Sequence, residues 1–425
     1  MNILKYLNKS ENSVSILFAI SILSMSFPYG FPLFGVLTLV FVLLKIFSGR
    51  FKISINLGFI IYFVTIFIYI FGVFLNKGVI YSHNKSDILN IISFIFIWIL
   101  LSDLKKIEYN TLFKKMIKYS VWVCFVISII SIYKFLMLTK NVNIDKFYTG
   151  NYYPGGTSLV VDYNMFSFAL LTGLIFNISI LREKLTISTR FFYTISLLLI
   201  FLSIAFAGSR RGWVLLGVIF VCLIMKFTIN SLDVHKFFKQ TIKASPIFLI
   251  IIVLFIFFSN SNNLFIASNE IDKLQYRFQT LKINEVDDSL SSRTKRWQYA
   301  YEMYNDYDFL QLTFGKGFSY LPKYGKRFNT DLEEDYPHSP FLSVLLYGGI
   351  IGVFSLVLLF LWTIYLTIKN RKNLNIYLIA LFYLSIPIII VSSNSIFSIS
   401  LFNLIILIIF SNNKRITRYK ELEGY

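Results

Sequence analysis

The sequence predicts an all-α polytopic membrane protein, with about twelve transmembrane helices and a large, partly helical extracytoplasmic loop between helices 9 and 10. Hydrophobic residues make up 56% of the 425 residues, and the mean hydropathy of +0.66 is too high for a soluble protein. Apolar runs recur along the chain, and each approaches the roughly 20 residues needed to cross the hydrocarbon core. Lys and Arg concentrate in alternate connections between these runs, as the positive-inside rule requires.

The apolar runs define the predicted helices and divide the chain. Residues 1–259 are expected to hold helices 1–9, residues 260–338 the large loop, and residues 339–425 helices 10–12 with a cytoplasmic tail. If the N-terminus is cytoplasmic, the cation-rich connections all fall on the cytoplasmic side, so both termini are predicted to be cytoplasmic. The runs lie at roughly residues 14–27, 31–47, 53–75, 87–102, 118–138, 159–181, 191–208, 212–228, 245–259, 340–368, 374–391 and 395–411.

The composition argues against several other classes of protein. The formal net charge is +19, but most of the Lys and Arg flank apolar runs as topology anchors, so nucleic acid is not a predicted partner. Cys124 and Cys222 both lie in apolar runs, which predicts neither a disulfide framework nor a thiolate metal site. The acidic run at 331–335 is typical of a solvated loop. We therefore predict no metal site and no cofactor.

Two arginines lie between glycines at the predicted outer turn of helices 7 and 8, in Gly208-Ser209-Arg210-Arg211-Gly212. Charge at a helix end can serve as an anchor, but the positive-inside rule predicts few cations on this side. The guanidinium fork binds phosphate through two parallel hydrogen bonds. The pattern favours an oxyanion-binding pair over a topological anchor.

The large loop contains one clear helical pattern. Ser291 and Ser292 are predicted caps for it. The residues that follow recur on one helical face: Arg293, Arg296, Trp297, Ala300 and Tyr304. By spacing alone, a solvated Arg293 is favoured over a functional one.

His338 lies between two prolines where the large loop re-enters the membrane. Imidazole can accept or donate a proton at neutral pH, but the pattern leaves open whether His338 does so. Gly348, Gly349 and Gly352 follow in the tenth predicted helix, and glycines at this spacing are typical of close helix packing.

Taken in order, these motifs resemble the O-antigen polymerase and ligase superfamily, which includes Wzy-type polymerases and WaaL-type ligases. Three positions depart from the family pattern: Tyr163 replaces a Pro, Ser339 replaces an Asn, and Tyr347 stands where a Glu is frequent. The resembling stretches are Asp162-Tyr163-Asn164-x-Phe166, Ser209-Arg210, Ser292-Arg293-x-x-x-Trp297, Gly315-x-Gly317-Phe318, His338-Ser339-x-Phe341-Leu342 and Gly349-x-x-Gly352.

The resemblance implies a metal-independent glycosyltransferase at the outer face of the bacterial cytoplasmic (inner) membrane. Its donor would be a glycan on undecaprenyl diphosphate and its acceptor a second glycan. Arg210 and Arg293 are expected to clamp the diphosphate, and His338 to position or deprotonate the acceptor hydroxyl. These three are the predicted catalytic residues. The resemblance also implies two further partners, membrane lipids and a chain-length regulator.

Five other residues are predicted to bind substrate. Arg211 is expected to aid Arg210, and Trp297 and Tyr336 to line the path of the sugars. Asp162 and Asn164 are expected to contact the substrate because they match a family motif.

Three functions remain open at this point. A polymerase is favoured, because the chain fits the family motifs loosely and polymerases are its more divergent members. A ligase that transfers the glycan to lipid A-core shares the donor and the motifs. A flippase or other transporter would suit twelve helices, but such proteins usually show internal repeats and charges near mid-membrane, and here Lys134 is the only charge well inside a run.

Overall fold

The computed structural model describes residues 9–28, 30–49, 53–75, 79–102, 104, 106–140, 156–160, 162–219, 274, 286–328, 334–369, 376–392 and 399–413. Every regular element within these ranges is a helix, and six helices are long and apolar enough to cross a membrane. The protein is therefore an all-α membrane protein, as the sequence predicted. The helices are α1 (Ser10–Ser26), α2 (Gly30–Phe47), α3 (Leu57–Leu75), α4 (Ser82–Ser102), α5 (Lys106–Thr139), α6 (Tyr163–Leu181), α7 (Ile187–Ala205), α8 (described at 210–219), α9 (Val286–Asn305), α10 (Phe309–Phe314), α11 (Tyr320–Phe328), α12 (Pro340–Lys369), α13 (Ile376–Ser392) and α14 (Ile399–Asn413).

Each predicted apolar run that falls within the described residues contains a helix. The ninth run, 245–259, lies outside them, and the eighth is described only as far as residue 219. The count of twelve transmembrane helices therefore stays a prediction. The side of the membrane on which the large loop lies and the domain boundaries at 259 and 338 also stay predictions.

The helices form two compact units. The first contains Met1–Ser24, Tyr29–Val123 and Asp287–Tyr425. The second contains Met25–Pro28 and Cys124–Val286. In the first unit α12 packs along α3, and in the second α6 packs along α7. The candidate site residues divide between these units, and each unit is described separately below.

The described part of the large loop is folded into helices. It contains α9, α10, α11 and a short 3-10 helix at Gly317–Ser319. The prediction that Ser291 and Ser292 cap a helix is wrong, because α9 already begins at Val286 and both serines lie inside it. A cap must stand outside the first turn to reach free N–H groups.

A kink divides α12 near its beginning. Gly349 has φ 63° and ψ −161°, which lies outside the helical region and favours glycine. The nine residues before Gly349 follow the large loop, and the longer part after it continues to Lys369. This kink is the point at which the loop is attached, as described below.

Candidate functional site

In the second unit, Ser209 organises the turn that carries the two arginines. Its Oγ accepts a hydrogen bond from Gly212 N (2.9 Å), so Ser209 caps the start of α8 and places Arg210 and Arg211 in the first helical turn. Gly208 precedes it with φ 70°, a conformation that glycine adopts without steric cost. Two guanidinium groups thus lie at the positive end of a helix dipole, which is a suitable arrangement for an anion.

A second predicted motif meets this turn. The Ser209 Oγ donates to Asn164 Oδ1 at 3.0 Å, so Asn164 and the Ser209-Arg210 pair are joined by a side-chain hydrogen bond. Asp162 caps α6, because its Oδ1 accepts from Asn164 N (3.0 Å) and Met165 N (3.1 Å). Asp162 and Asn164 therefore have structural contacts that account for their residue types. Their predicted contact with substrate stays a prediction.

Lys134 fixes the chain segment that leads into Asp162. Its side chain is buried in α5, and its Nζ donates to the Ser158 carbonyl. The segment also docks on the end of α7, where Phe206 O accepts from Thr157 N at 3.0 Å. Gly156 has φ 73°, and a Cβ at this position would lie 2.1 Å from Phe206 O. Lys134 was visible in the sequence as a charge inside an apolar run, but its partner was not.

In the first unit, an ion pair positions the segment that leads to His338. Arg296 of α9 donates through Nη1 to Asp335 Oδ2 and to Tyr336 O (3.1 Å). Asp335 is also bonded along its own chain, since Tyr336 N donates to Asp335 Oδ1 at 2.8 Å. The Tyr324 hydroxyl of α11 donates to Arg296 O at 2.6 Å. This network was missed in the sequence, where Asp335 looked like one member of a solvated acidic run.

His338 itself has an uncommon backbone conformation. Its φ is 52°, the one positive φ among the described non-glycine residues. Such a conformation costs about 1–3 kcal/mol and persists where surrounding structure imposes it. The imidazole packs edge-on against the Tyr336 ring, with 4.5 Å between ring centroids. The structure therefore places the Tyr336 ring against His338.

An open cavity of about 570 Å³ lies beside His338. It is lined by α9 and the start of α12, and its described lining combines two aromatic rings with amide and hydroxyl groups and contains no charged side chain. Trp297 is 39% exposed at this cavity. The lining residues are Thr294, Trp297, Gln298, Tyr301, Ser339 and Leu342. Aromatic faces next to uncharged hydrogen-bonding groups suit a neutral ligand such as a sugar.

Arg293 lies in α9, one turn before Trp297, and its side chain falls outside the described part of the structure. Its predicted contact with diphosphate therefore stays a prediction. The described residues contain no group of three or more His, Cys, Asp or Glu that could hold a metal ion.

The glycine motifs of the loop and of α12 attach these two parts to each other. A Cβ on Gly315 would lie 2.2 Å from the Tyr347 carbonyl carbon, and a Cβ on Gly349 would lie 2.4 Å from Thr313 O. The Leu346 carbonyl accepts from Lys316 N (3.0 Å) and from the Tyr307 hydroxyl (3.2 Å). These bonds satisfy a carbonyl next to the kink.

Tyr347, which replaces a frequent Glu, is an aromatic packing residue. Its ring stacks on Phe318 with centroids 4.5 Å apart, and Tyr69 of α3 contacts both rings. Gly348 and Gly352 approach Ile68 of α3, so the prediction that these glycines permit close helix packing is confirmed.

Residues 195–357 match the family model described as O-antigen ligase, Wzy_C. This match supports the resemblance to the O-antigen polymerase and ligase superfamily. The match covers less than half of the chain, and the Asp162 motif precedes it. The motifs inside the matched residues are Ser209-Arg210, the α9 motif, His338 and Gly349-x-x-Gly352. A comparison with curated proteins finds no match. The match and the apolar helices support polymerase- or ligase-type function in a multi-pass membrane protein.

Proposed function

We propose that this protein joins oligosaccharide units carried on undecaprenyl diphosphate into O-antigen or a related surface polysaccharide. The reaction would take place at the outer face of the bacterial cytoplasmic membrane, with both termini in the cytoplasm. The observation that carries the proposal is the Ser209-capped start of α8 with its two arginines, which lies inside the O-antigen ligase match.

The chemistry of the leaving group supports this choice. In the transfer, the anomeric carbon–oxygen bond to the diphosphate breaks as a glycosidic bond forms to an acceptor hydroxyl. Negative charge then grows on the departing undecaprenyl diphosphate, and Arg210 and Arg211 at a helix N-terminus are suited to stabilise it. Arg293 is proposed to contribute a third guanidinium. The bond energy is already present in the donor, so the arginines supply the charge and the proposal requires no nucleotide or metal.

The acceptor needs a group that can take its proton. We assign this role to His338, whose imidazole is fixed by the strained backbone and by the Tyr336 ring. The uncharged cavity at Trp297 is proposed to hold sugar residues next to it. Charged and uncharged parts of the substrate would thus meet different residues, the diphosphate at the arginines and the glycan at Trp297 and Tyr336.

We favour a second lipid-linked unit as the acceptor, which makes the protein a polymerase. The departures at Tyr163, Ser339 and Tyr347 support this choice, because polymerases vary more than ligases with the sugar they handle. The second candidate is a ligase that uses lipid A-core, and the description of the matched family favours it. A chain-length regulator is the protein partner expected for the polymerase.

Deletion of the gene followed by analysis of surface glycans separates these candidates. Lipid A-core that carries a single repeat unit would establish a polymerase. Core without any repeat, with long chains left on undecaprenyl diphosphate, would establish a ligase. Unchanged glycans would contradict both.

Purified protein tests the assigned arginine. We expect Arg210→Ala to lower transfer from a lipid-linked donor by roughly 100-fold, the usual loss for a group that stabilises charge in the transition state. Arg190→Ala is a matched control, because Arg190 is an exposed arginine at the other end of the hairpin formed by α7 and α8. Equal activity of the two variants would remove Arg210 from the mechanism.

A further inference from the structure

Three large apolar side chains of helix α10 are exposed among the described residues of the first unit. Phe309 is 80% exposed, Leu310 67% and Phe314 46%. At 100° per residue these three side chains fall within about 140° of one face of the helix. Large apolar side chains exposed together on a loop require another apolar surface against them.

The attachment of α10 to α12 determines its height along the transmembrane helix. Gly315, which ends α10, lies against the backbone of Tyr347 and Gly348, and Thr313 lies against Gly349. These are backbone contacts that leave no space for a Cβ, so α10 is held at the level of the kink and does not extend away from the helix.

The length of α12 indicates that the kink lies at the edge of the hydrocarbon core. The Lys369 ammonium lies 5.3 Å from the centre of the Tyr365 ring, and Lys and Tyr together are typical of the headgroup level at the end of a span. From Lys369 back to Gly349 is about 20 residues, or roughly 30 Å of helix, which is the thickness of the core.

The neighbouring helix gives the same level independently. Phe318, which follows α10 by four residues, packs where a Cβ on Gly72 would lie 3.2 Å from its ring. Gly72 is one turn from the end of α3 at Leu75. Phe318 is therefore about one helical turn inside the end of a membrane-spanning helix.

We propose that α10 lies in the membrane surface on the loop side, with Phe309, Leu310 and Phe314 inserted among the lipid acyl chains. The Gly315–Tyr347 and Thr313–Gly349 contacts hold α10 beside the kink of α12. The exposed apolar face of α10 therefore lies at the level of the membrane edge. This anchor keeps α9, and with it Trp297, at the level of lipid headgroups, which is also the level of the substrate diphosphate, a point that rests on the proposed function. The Tyr304 hydroxyl, which donates to Leu312 O at 2.9 Å, joins α9 to α10.

Spin-label accessibility tests this proposal without reference to sugar transfer. In a background with Cys124→Ala and Cys222→Ala, a nitroxide is attached to cysteine at Leu310→Cys, and in a second protein at Phe314→Cys. The proteins are placed in nanodiscs of phosphatidylethanolamine and phosphatidylglycerol. Collision rates are measured with oxygen, which concentrates in lipid, and with a neutral nickel chelate, which stays in water. Lys323→Cys, at an exposed charged position of α11 in the same loop, is the matched control.

We expect the ratio of oxygen to nickel collisions to be several-fold higher at positions 310 and 314 than at position 323. An equal ratio at all three positions would place α10 in water and overturn the proposal. Low collision rates with both reagents at 310 and 314 would show that protein, such as a second copy of the chain, covers this face, and would also overturn it. Because the readout is a collision rate, neither result bears on the proposed transferase function.

Discussion

The ion pair between Arg296 and Asp335 can be tested by removing one partner. Arg296→Met keeps most of the aliphatic volume of the side chain but removes the guanidinium. The variant loses the hydrogen bonds from Nη1 to Asp335 Oδ2 and to Tyr336 O. Of the side-chain bonds that the structure shows for Asp335, the one from Tyr336 N would then remain. The segment that carries His338 would lose these two hydrogen bonds to α9.

Burial decides the size of this effect. The side chains of Arg296 and Asp335 are 15% and 9% exposed. Removal of one partner from a buried ion pair costs about 3–5 kcal/mol, whereas an exposed pair contributes about 0–1 kcal/mol. Because both side chains are nearly buried, we expect Arg296→Met to lower the free energy of unfolding by about 3 kcal/mol. Asp335→Asn should cost about 2 kcal/mol, since it keeps an oxygen for Tyr336 N.

A double-mutant cycle measures the interaction itself. The unfolding free energies of the two single variants and of the double variant Arg296→Met/Asp335→Asn are compared in the same bicelles. We expect the double variant to cost about 3 kcal/mol, so that the two residues are coupled by about 2 kcal/mol. The exposed neighbour Lys295→Met is the control and should change stability by less than about 0.5 kcal/mol. A loss below about 1 kcal/mol for Arg296→Met, or additive single effects, would refute the assignment of a buried pair.

Three further predictions follow from particular positions. His338→Gly should keep or slightly raise the stability of the fold, because glycine adopts φ 52° freely. The same variant should lower the rate of sugar transfer by at least about 100-fold, because it lacks the imidazole. Retained activity would mean that the backbone matters and the imidazole does not. Gly349→Ala should lower the free energy of unfolding by about 3 kcal/mol or more, because φ is 63° and the new Cβ would lie 2.4 Å from Thr313 O. Gly35→Ala is the control, since a Cβ there meets nothing within 4 Å. It should be neutral or stabilising in the same thermal unfolding assay. Burial raises the pKa of the Tyr324 hydroxyl above its ordinary value. The folded state therefore holds this proton more tightly than the unfolded state. The resulting contribution to stability is complete below about pH 10 and is lost as the pH rises toward the raised pKa. Tyr324→Phe should therefore show a smaller loss of stability than the wild type between pH 9 and 11, and parallel curves would contradict this.

The helical architecture could be predicted from the sequence because it depends on hydropathy and run length. A lipid-exposed backbone must satisfy its own hydrogen bonds, so a long apolar run leaves helix as the available structure. For this reason α3, α6, α7 and α12 lie where their apolar runs predicted them. The start of α9 was placed wrongly, because Ser291 and Ser292 have the residue type of a cap but follow a turn of helix that begins at Val286.

The candidate site was only partly predictable. Arg210 and His338 could be proposed because an arginine pair on a predicted outer turn and a histidine between prolines are unusual in this composition. Asp335 and Lys134 were not assigned roles, since their partners Arg296 and Ser158 lie 39 and 24 residues away in sequence. Long-range pairing of this kind leaves no periodic pattern.

The sequence by itself determined the all-helical membrane class and the positions of the apolar helices, and it supplied the residues proposed to bind a lipid diphosphate and a sugar. Local composition is sufficient for these because a transmembrane helix satisfies its own backbone and an arginine has the same charge in any fold. Only the tertiary structure decided that Gly315 and Gly349 join the loop to α12, and that Ser209 links Asn164 to the arginine turn. Close backbone approach at these glycines and the burial of an ion pair depend on segments that meet only after folding, so neighbouring residues in the sequence do not predict them.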